Sequence, residues 1–380
     1  MTYEKYVESF ISNIKERSKN ISIYIWGSGL WGKYAKELLD KHEIDIAGFI
    51  DNNKAKVGKI LENGVMIYAP EQINICDAVF IIAVKNGIDE ICRQCRILGI
   101  KSSDLIIFND LMNARVRDTY KNAEVIFAYE NVWPGCGEET IDDIIQYSGI
   151  NSSDKIFEIG AGAGKVADMF LKRGYVVDLL EISDEQVAFL KRKYEKNAQV
   201  RRIDKGYFEE YLTKEKYNLI YLSGVAHWIN AKILYPKVWN MLEECGTLAV
   251  FYTNFEVIYR DYGIWKGLNE IKRKHLPDHS LGYKEEELQE DNLKRQKNMR
   301  RYAGFIEIEH KEYQWEKKYN AKEYVSLINS ASTVQLLDEE RRHRYLEDIY
   351  TYINDYGKGK IEVPIRVWLD MTKKITLGEN

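Results

Sequence analysis

At 380 residues the chain is too long for one ordinary hydrophobic core, and two domains of roughly 100–200 residues each are expected. Hydrophobic residues make up 45% and charged residues 30%, enough to bury two cores under a solvated exterior. The net charge of −4 lacks the basic excess of a nucleic-acid binder, and five cysteines, an odd number in a long chain, do not describe a disulfide framework.

The opening segment places Tyr3, Tyr6, Val7, Phe10, Ile11 and Ile14 at helical spacing, and its early acids exclude a signal peptide. A strand over Ile21–Trp26 enters the tight turn Gly27-Ser-Gly-Leu-Trp-Gly32, which a helix continues to Asp40. A second strand, Ile44 to Ile50, ends at Asp51, and Val65 to Tyr68 is a short extended piece. Ala78–Val84 is the longest apolar run, a strand buried on both faces and far short of a membrane span. Residues 86–98 read as a helix, on which Cys92 and Cys95 are two small apolar residues rather than a metal or redox pair. Leu105–Phe108 is another strand, and a doubly wound α/β unit is complete by about residue 118.

Residues 119–150 read as a connector that ends in a helix over Thr140–Tyr147. A second α/β unit starts at Lys155, with strands over 155–159, 175–181, about 199–203, 218–223 and 246–252. Residues 254–303 break this alternation. An insertion there is expected to lie as a helical lid over the carboxyl ends of the strands, carrying Tyr259, Tyr262 and Trp265 beside Tyr252. Phe305–Trp315 alternates like a strand, Ala321–Asn354 is helical, and Ile361–Leu369 is a last strand whose Pro364 points to an edge position or bulge for part of it. His275 and His279 have the spacing of a helical metal pair, but Pro277 between them argues against an unbroken helix, and no metal site is expected. The fold class is therefore α/β, with two doubly wound Rossmann-like domains over 1–118 and 119–380.

Chemistry concentrates at two glycine turns. Gly27, Gly29 and Gly32 form a GxGxxG between strand and helix, with Asp51 at the next strand end, which on spacing is a dinucleotide site. The second turn is Lys155-Ile-Phe-Glu-Ile-Gly-Ala-Gly-Ala-Gly164, where Gly160, Gly162 and Gly164 let the backbone turn sharply and approach a ligand. Glu158 precedes the turn, and Glu181 ends the next strand, where it can accept from ribose hydroxyls. That acid serves dinucleotides equally well, so it does not separate the two cofactor classes.

Five segments in order tilt the choice: Glu158-Ile-Gly-Ala-Gly-Ala-Gly-Lys165, Glu181-Ile-Ser183, Gly206-Tyr-Phe-Glu209, Tyr217 through Trp228, and Met241 through Leu248. With them the chain from Tyr129 onward resembles a class I S-adenosylmethionine-dependent methyltransferase, of the group that includes trans-aconitate methyltransferase-like proteins. The resemblance implies S-adenosylmethionine as cofactor, held by Glu158, Gly160, Ala161, Gly162, Gly164, Glu181 and Ile182. Tyr207 and Phe208 would flank the adenine, and Ser223 and Gly224 the sulfonium. His227 would act as a base, while Tyr129, Trp133 and Trp228 would line the substrate. The family pattern carries arginine where this chain has Trp133, which removes an anion contact and turns the expectation away from an acidic acceptor such as aconitate. Asn218 replaces a usual aspartate at a position that is generally structural.

The first 110 residues, through Gly48-Phe-Ile-Asp-Asn-Asn53, Gly58 and Ala69-Pro-Glu71, resemble the Rossmann-like N-terminal domain of sugar O- and N-acyltransferases, also found fused to polysaccharide-biosynthesis enzymes. That likeness implies nucleotide-sugar binding or a scaffold role, and a sugar or glycan precursor as methyl acceptor. Two alternatives remain: an NAD-dependent sugar oxidoreductase or epimerase using the first domain, which lacks a Tyr-x-x-x-Lys pair after Asp51, and a non-catalytic nucleotide-binding scaffold. The expected partner is a small-molecule substrate, without nucleic acid or membrane, in the cytoplasm; assembly into a homo-oligomer is left open.

Overall fold

A computed structural model describes residues 3–17, 21–61, 64–84, 87–255, 260–276, 285–305 and 307–375. The chain divides into two compact units, Met1–Asp118 and Thr119–Asn380.

The first unit runs α1 (Tyr3–Arg17), β1 (Ser22–Trp26), α2 (Leu30–Asp40), β2 (Gly48–Ile50), β3 (Ile67–Tyr68), β4 (Ala78–Ile82), α3 (Ile88–Ile97), β5 (Leu105–Ile107) and α4 (Asn109–Thr119). Its five strands form one parallel sheet in the order β3-β2-β1-β4-β5. Central β4 is buried at every position, as its unbroken apolar run requires. The amphipathic spacing of α1 becomes a buried stripe of Phe10, Ile11 and Ile14, with Phe10 against Phe108 at 5.2 Å between ring centroids. Strand β2 is shorter than the expected Ile44–Ile50. Glu43 takes a left-handed φ of 59° in the turn after α2, and pairing resumes only near Gly48. Cys92 and Cys95 lie one helical turn apart on α3, Cys95 buried.

The second unit opens with a helix, α5 (Ala123–Asn131), inside the segment expected to be a connector; the Asn122 side chain caps it by accepting the Glu124 N–H at 2.8 Å. There follow α6 (Glu138–Ser148), β6 (Lys155–Ile159), α7 (Lys165–Lys172), β7 (Val176–Glu181), α8 (Asp184–Lys193), β8 (Val200–Lys205), β9 (Tyr217–Ser223), α9 (Ala231–Met241) and β10 (Leu242–Phe255). The chain closes with α10 (Ile264–His275), α11 (Glu285–Ala303), β11 (Glu309–Asn320), α12 (Ala321–Asn329), α13 (Ser332–Gln335), α14 (Glu339–Asp355) and β12 (Lys360–Lys373). The sheet order is β11-β12-β10-β9-β6-β7-β8, with β12 antiparallel to both neighbours and β6 to β10 mutually parallel. Apolar residues of α6, α7 and α8 cover one face of this sheet. Those of α9, with Met299 of α11, cover the other. A further core joins α10, α12 and α14 to Tyr319, Val363 and Ile365 of the last two strands.

Strand β12 lies between β10 and β11 rather than at an edge. Pro364 sits one residue beyond the last described β10 pair, Phe255 with Ile365, and pairs with Glu316 of β11. The segment expected to be a lid is packed into the fold where it is described. Helix α10 lies against α14 and α11 against α9, and Met299 is fully buried. Of its aromatics, Trp265 packs in the helical core and Tyr262 is exposed, while Tyr259 lies outside the described residues.

Candidate functional site

Strand order reverses between β6 and its neighbours β7 and β9, the place where open α/β sheets bind ligands at the strands' carboxyl ends. The glycine turn follows β6 there, and the Gly160 and Ala161 amides both donate to Leu180 O, at 2.8 and 3.1 Å. A Cβ on Gly160 would stand 2.7 Å from a Val225 methyl, and one on Gly164 would stand 2.4 Å from the Tyr194 hydroxyl. Both also have positive φ, so glycine is demanded by the protein's own packing at these two positions. Gly162 differs: φ is +56°, and the nearest atom to a Cβ is Gln186 Oε1 at 3.5 Å. Its open side is the part of the turn that a ligand can approach, and the same holds for Gly224, where a Cβ would meet nothing within 4 Å.

Glu181 is fastened to this turn. Oε2 accepts the Gly162 N–H at 2.8 Å, and Oε1 accepts the Ile182 and Ser183 amides at 2.8 and 2.9 Å. Burial pushes its pKa above the ordinary carboxylate value even against these three donors. Glu158 is enclosed, 1% exposed, and accepts the Tyr221 hydroxyl at 2.9 Å. Burial holds its pKa well above normal, so the proton is favoured over the charge.

The other expected residues gather around the same strand ends. The Gly206 N–H donates to Glu181 O at 3.0 Å, bringing the Tyr207–Phe208 turn beside β7. Tyr207 is half-buried, whereas Phe208 is a core residue with the Lys237 ammonium 5.1 Å from its ring centroid. Ser223 ends β9, and the Gly224 N–H donates to Phe251 O at 2.9 Å. His227 is exposed on a single 3-10 turn, its ring centroid 4.6 Å from Trp228 and 5.7 Å from Tyr252. Burial pushes the Tyr252 hydroxyl up to about 12, and the Arg295 guanidinium lies 4.9 Å from the same ring. Tyr129 and Trp133 stack at 5.7 Å with an interplanar angle of 22°.

Residues that sequence reasoning missed join these parts. Lys165 Nζ donates to Glu130 O at 3.1 Å, and Lys193 Nζ reaches Glu130 Oε2 at 2.9 Å, Asp168 Oδ2 at 2.7 Å and Ala163 O at 2.9 Å. The end of α5, with Tyr129 and Trp133, is thereby tied to the glycine turn. Lys317 Nζ donates to Val132 O at 3.1 Å from β11. Its sequence signal was available, since Tyr313, Trp315, Lys317 and Tyr319 alternate onto one strand face.

In the first unit, Asp51 is already engaged. Oδ2 accepts from both the backbone N–H and the hydroxyl of Ser28, and Oδ1 accepts the Asn53 N–H at 2.9 Å. Burial alone would raise its pKa, but the Ser28 and Asn53 bonds outweigh it and hold the carboxyl below normal. Gly32 meets Gly27 O so closely that no Cβ fits, whereas Gly29 faces open space. Among the described residues no group of three or more His, Cys, Asp or Glu could hold a metal. His275 instead faces Asp348 at 2.7 Å, and His279 lies outside the described residues. No described helix is long and apolar enough to cross a membrane.

Residues 157–250 match the family described as a methyltransferase domain. None of the curated proteins compared with the chain matches it. Among solved structures, the chain is similar to a SAM-dependent methyltransferase from Thiobacillus denitrificans in complex with S-adenosylhomocysteine, at 13% identity, covering 65% of this chain and 96% of the other with a TM-score of 0.38. It is also similar to phosphoethanolamine N-methyltransferase 2 of Haemonchus contortus, at 10% identity, covering 97% and 99% of the two chains with a TM-score of 0.42. The matched stretch runs from the glycine turn through β10. A Cβ at Gly162 would come no nearer than 3.5 Å to any atom beyond its neighbours in the chain, so that side of the turn leaves room for a ligand to approach. Residues 157–250 of the second unit thus match a methyltransferase domain.

Proposed function

We propose that the second unit transfers a methyl group from S-adenosylmethionine to a small-molecule acceptor at the carboxyl ends of β6, β7 and β9, in the manner of the class I group that includes trans-aconitate methyltransferase-like proteins. The observation that carries this reading is the Glu181 carboxylate held against the open face of Gly162 at 2.8 Å. Oε2 accepts only that one amide, so it keeps acceptor capacity for a ribose hydroxyl. The cofactor supplies an activated leaving group at sulfur, and the protein's task is to bind, align and exclude water.

In this reading Gly160 to Gly164 and Ile182 approach the nucleoside, Tyr207 takes the adenine face, and Ser223 and Gly224 flank the sulfur. Phe208 acts through packing. Trp228, Tyr129 and Trp133 line the acceptor, and His227 takes a proton from a hydroxyl or ammonium acceptor. Glu158 stays beneath the turn as a neutral, hydrogen-bonded acid. The N-terminal resemblance supports a sugar or glycan precursor as acceptor. We infer a Rossmann-like scaffold for the first unit, because Asp51, with as many Ser28 and Asn53 donors as Glu181 has amides, takes a further one from Lys56 at 3.4 Å.

Calorimetric titration tests the reading. S-adenosylhomocysteine is expected to bind the full chain and to lose binding in Glu181→Ala. Binding of NAD with no response to S-adenosylhomocysteine would reverse the assignment. Because Glu181 also holds the amides of Gly162, Ile182 and Ser183, the variant's thermal unfolding is measured beside its affinity.

A further inference from the structure

The sequence resemblance loses a cation at Trp133, and the tertiary structure brings two others to the same place. Lys165 is the first residue of α7, directly after Gly164, and its ammonium donates to Glu130 O at 3.1 Å. Lys317, 152 positions later by numbering (317 − 165), donates to Val132 O at 3.1 Å. The two ammoniums thus lie against carbonyls two residues apart, next to Trp133 and the glycine turn.

Neither lysine forms an ion pair with a carboxylate among the described residues. The nearby acids are engaged elsewhere: Glu130 and Asp168 pair with Lys193 at 2.9 and 2.7 Å, and Glu323 accepts the Asn320 N–H at 2.8 Å. Burial lowers the pKa of both lysines, and the charge of Lys317 lowers that of Lys165 further. An ammonium has three donors, and each uses one on a carbonyl. Capping the carbonyl end of α5 explains that single bond in each case. It does not explain two like charges brought together at the exit of the glycine turn, where Glu130, Asp168 and Glu323 act on them only from a distance and none pairs directly with either ammonium.

We propose that Lys165 and Lys317 form a two-ammonium cradle for a carboxylate at the mouth of the glycine turn. The proposal rests on the methyl-transfer reading of that site. The carboxylate comes from the methionine end of the cofactor or from an acidic acceptor, and the chemistry of recognition is the same: charge-assisted hydrogen bonds to two fixed donors. Lys317 comes from β11, outside the stretch 157–250 that matches the methyltransferase family, so the C-terminal part of the chain would complete the site.

The test is calorimetric titration of the full chain and of Lys165→Met, Lys317→Met and Lys317→Arg, with Lys317→Gln as the alternative should the methionine variant not fold. Three probes are used: S-adenosylhomocysteine, 5′-methylthioadenosine, which lacks the amino-acid end, and citrate, which lacks the nucleoside. Each methionine variant is expected to bind one carboxylate probe roughly tenfold more weakly, while Lys317→Arg largely restores it and methylthioadenosine affinity stays within about twofold. A loss confined to S-adenosylhomocysteine assigns the cradle to the cofactor; a loss confined to citrate assigns it to the acceptor. Unchanged affinity for both probes overturns the proposal, as does an equal loss for methylthioadenosine, which would reduce the lysines to fastening α5. If the unaltered protein binds neither nucleoside probe, the methyl-transfer reading fails instead, and the citrate arm still reports on the lysines.

Discussion

At the scale of single residues, the three glycines of the second turn look alike in sequence but meet different surroundings. Gly160 combines φ of +75° with a Val225 methyl 2.7 Å from its absent Cβ, and Gly162 a φ of +56° with only an ordinary contact, Gln186 Oε1 at 3.5 Å. Gly160→Ala is therefore expected to cost about 3 kcal/mol in urea unfolding, from strain and overpacking together, and Gly162→Ala about 1 kcal/mol from strain alone. The order reverses for ligand binding among folded variants, where Gly162→Ala should weaken S-adenosylhomocysteine more. Equal unfolding costs would contradict the packing argument. Glu158 gives a pH signature. Its folded pKa is raised by burial, so the native state keeps a proton that the unfolded chain releases above about pH 4.3. Stability contributed by this group is full below that pH and declines as pH rises toward the folded value. Glu158→Gln is expected to flatten the decline, with its melting temperature gaining on the wild type between pH 5 and pH 9 on the order of a few degrees. A parallel pH course for the two proteins would remove Glu158 as the cause.

At the scale of elements, most of the sheet was legible. The continuous apolar run Ala78–Ile82, and Lys155–Ile159 leading into its glycine turn, became interior strands buried at nearly every position, Glu158 included. Helix α5 was not legible, since its run Val125-Ile-Phe-Ala-Tyr129 is apolar on every side, exposed Phe127 included, and shows no helical spacing of buried positions. Helix α11 was readable as a helix but its attachment was not. It is anchored by Arg295, whose Nε donates to fully buried Asp370 of β12 at 2.6 Å, while Gln296 donates and His310 bonds to the same carboxylate at 2.9 and 2.7 Å. Burial would raise the Asp370 pKa, but His310, Arg295 and Gln296 outweigh it and hold it low; Asp370 in turn raises His310. Asp370 contributes stability above the ordinary carboxylate range that is lost as pH falls through its lowered value. His310 contributes below its unfolded pKa of about 6.5, and that part is lost as pH rises through its raised value. Removing one partner of a buried pair leaves the other charge uncompensated, so Asp370→Ala is predicted to cost about 3 kcal/mol by urea unfolding. A cost under about 1 kcal/mol would mean that apolar contacts such as Met299 hold α11 by themselves.

At the scale of the whole molecule, the chain holds two compact units, each with its own sheet. A ligand that binds only one native unit stabilises that unit by mass action. Saturating S-adenosylhomocysteine is thus expected to protect amides of β6, β7 and α7 from hydrogen exchange while leaving β1 and β4 unchanged. Protection centred on Gly27 to Gly32 would move the nucleoside site to the first unit. By itself the sequence determined the strand–turn–helix alternation, the two glycine turns and the acids at the following strand ends, because these follow from local periodicity and from the conformational freedom of glycine. Only the tertiary structure decided what surrounds each carboxylate. Asp51 and Glu181 occupy equivalent places in sequence, yet Asp51 takes Ser28, Asn53 and Lys56 while Glu181 is buried against the amides of Gly162, Ile182 and Ser183. It also decided that Lys317 meets Lys165 at the end of α5. Charge, hydrogen bonding and burial at a site depend on residues far apart in the chain, and no local pattern carries that distance.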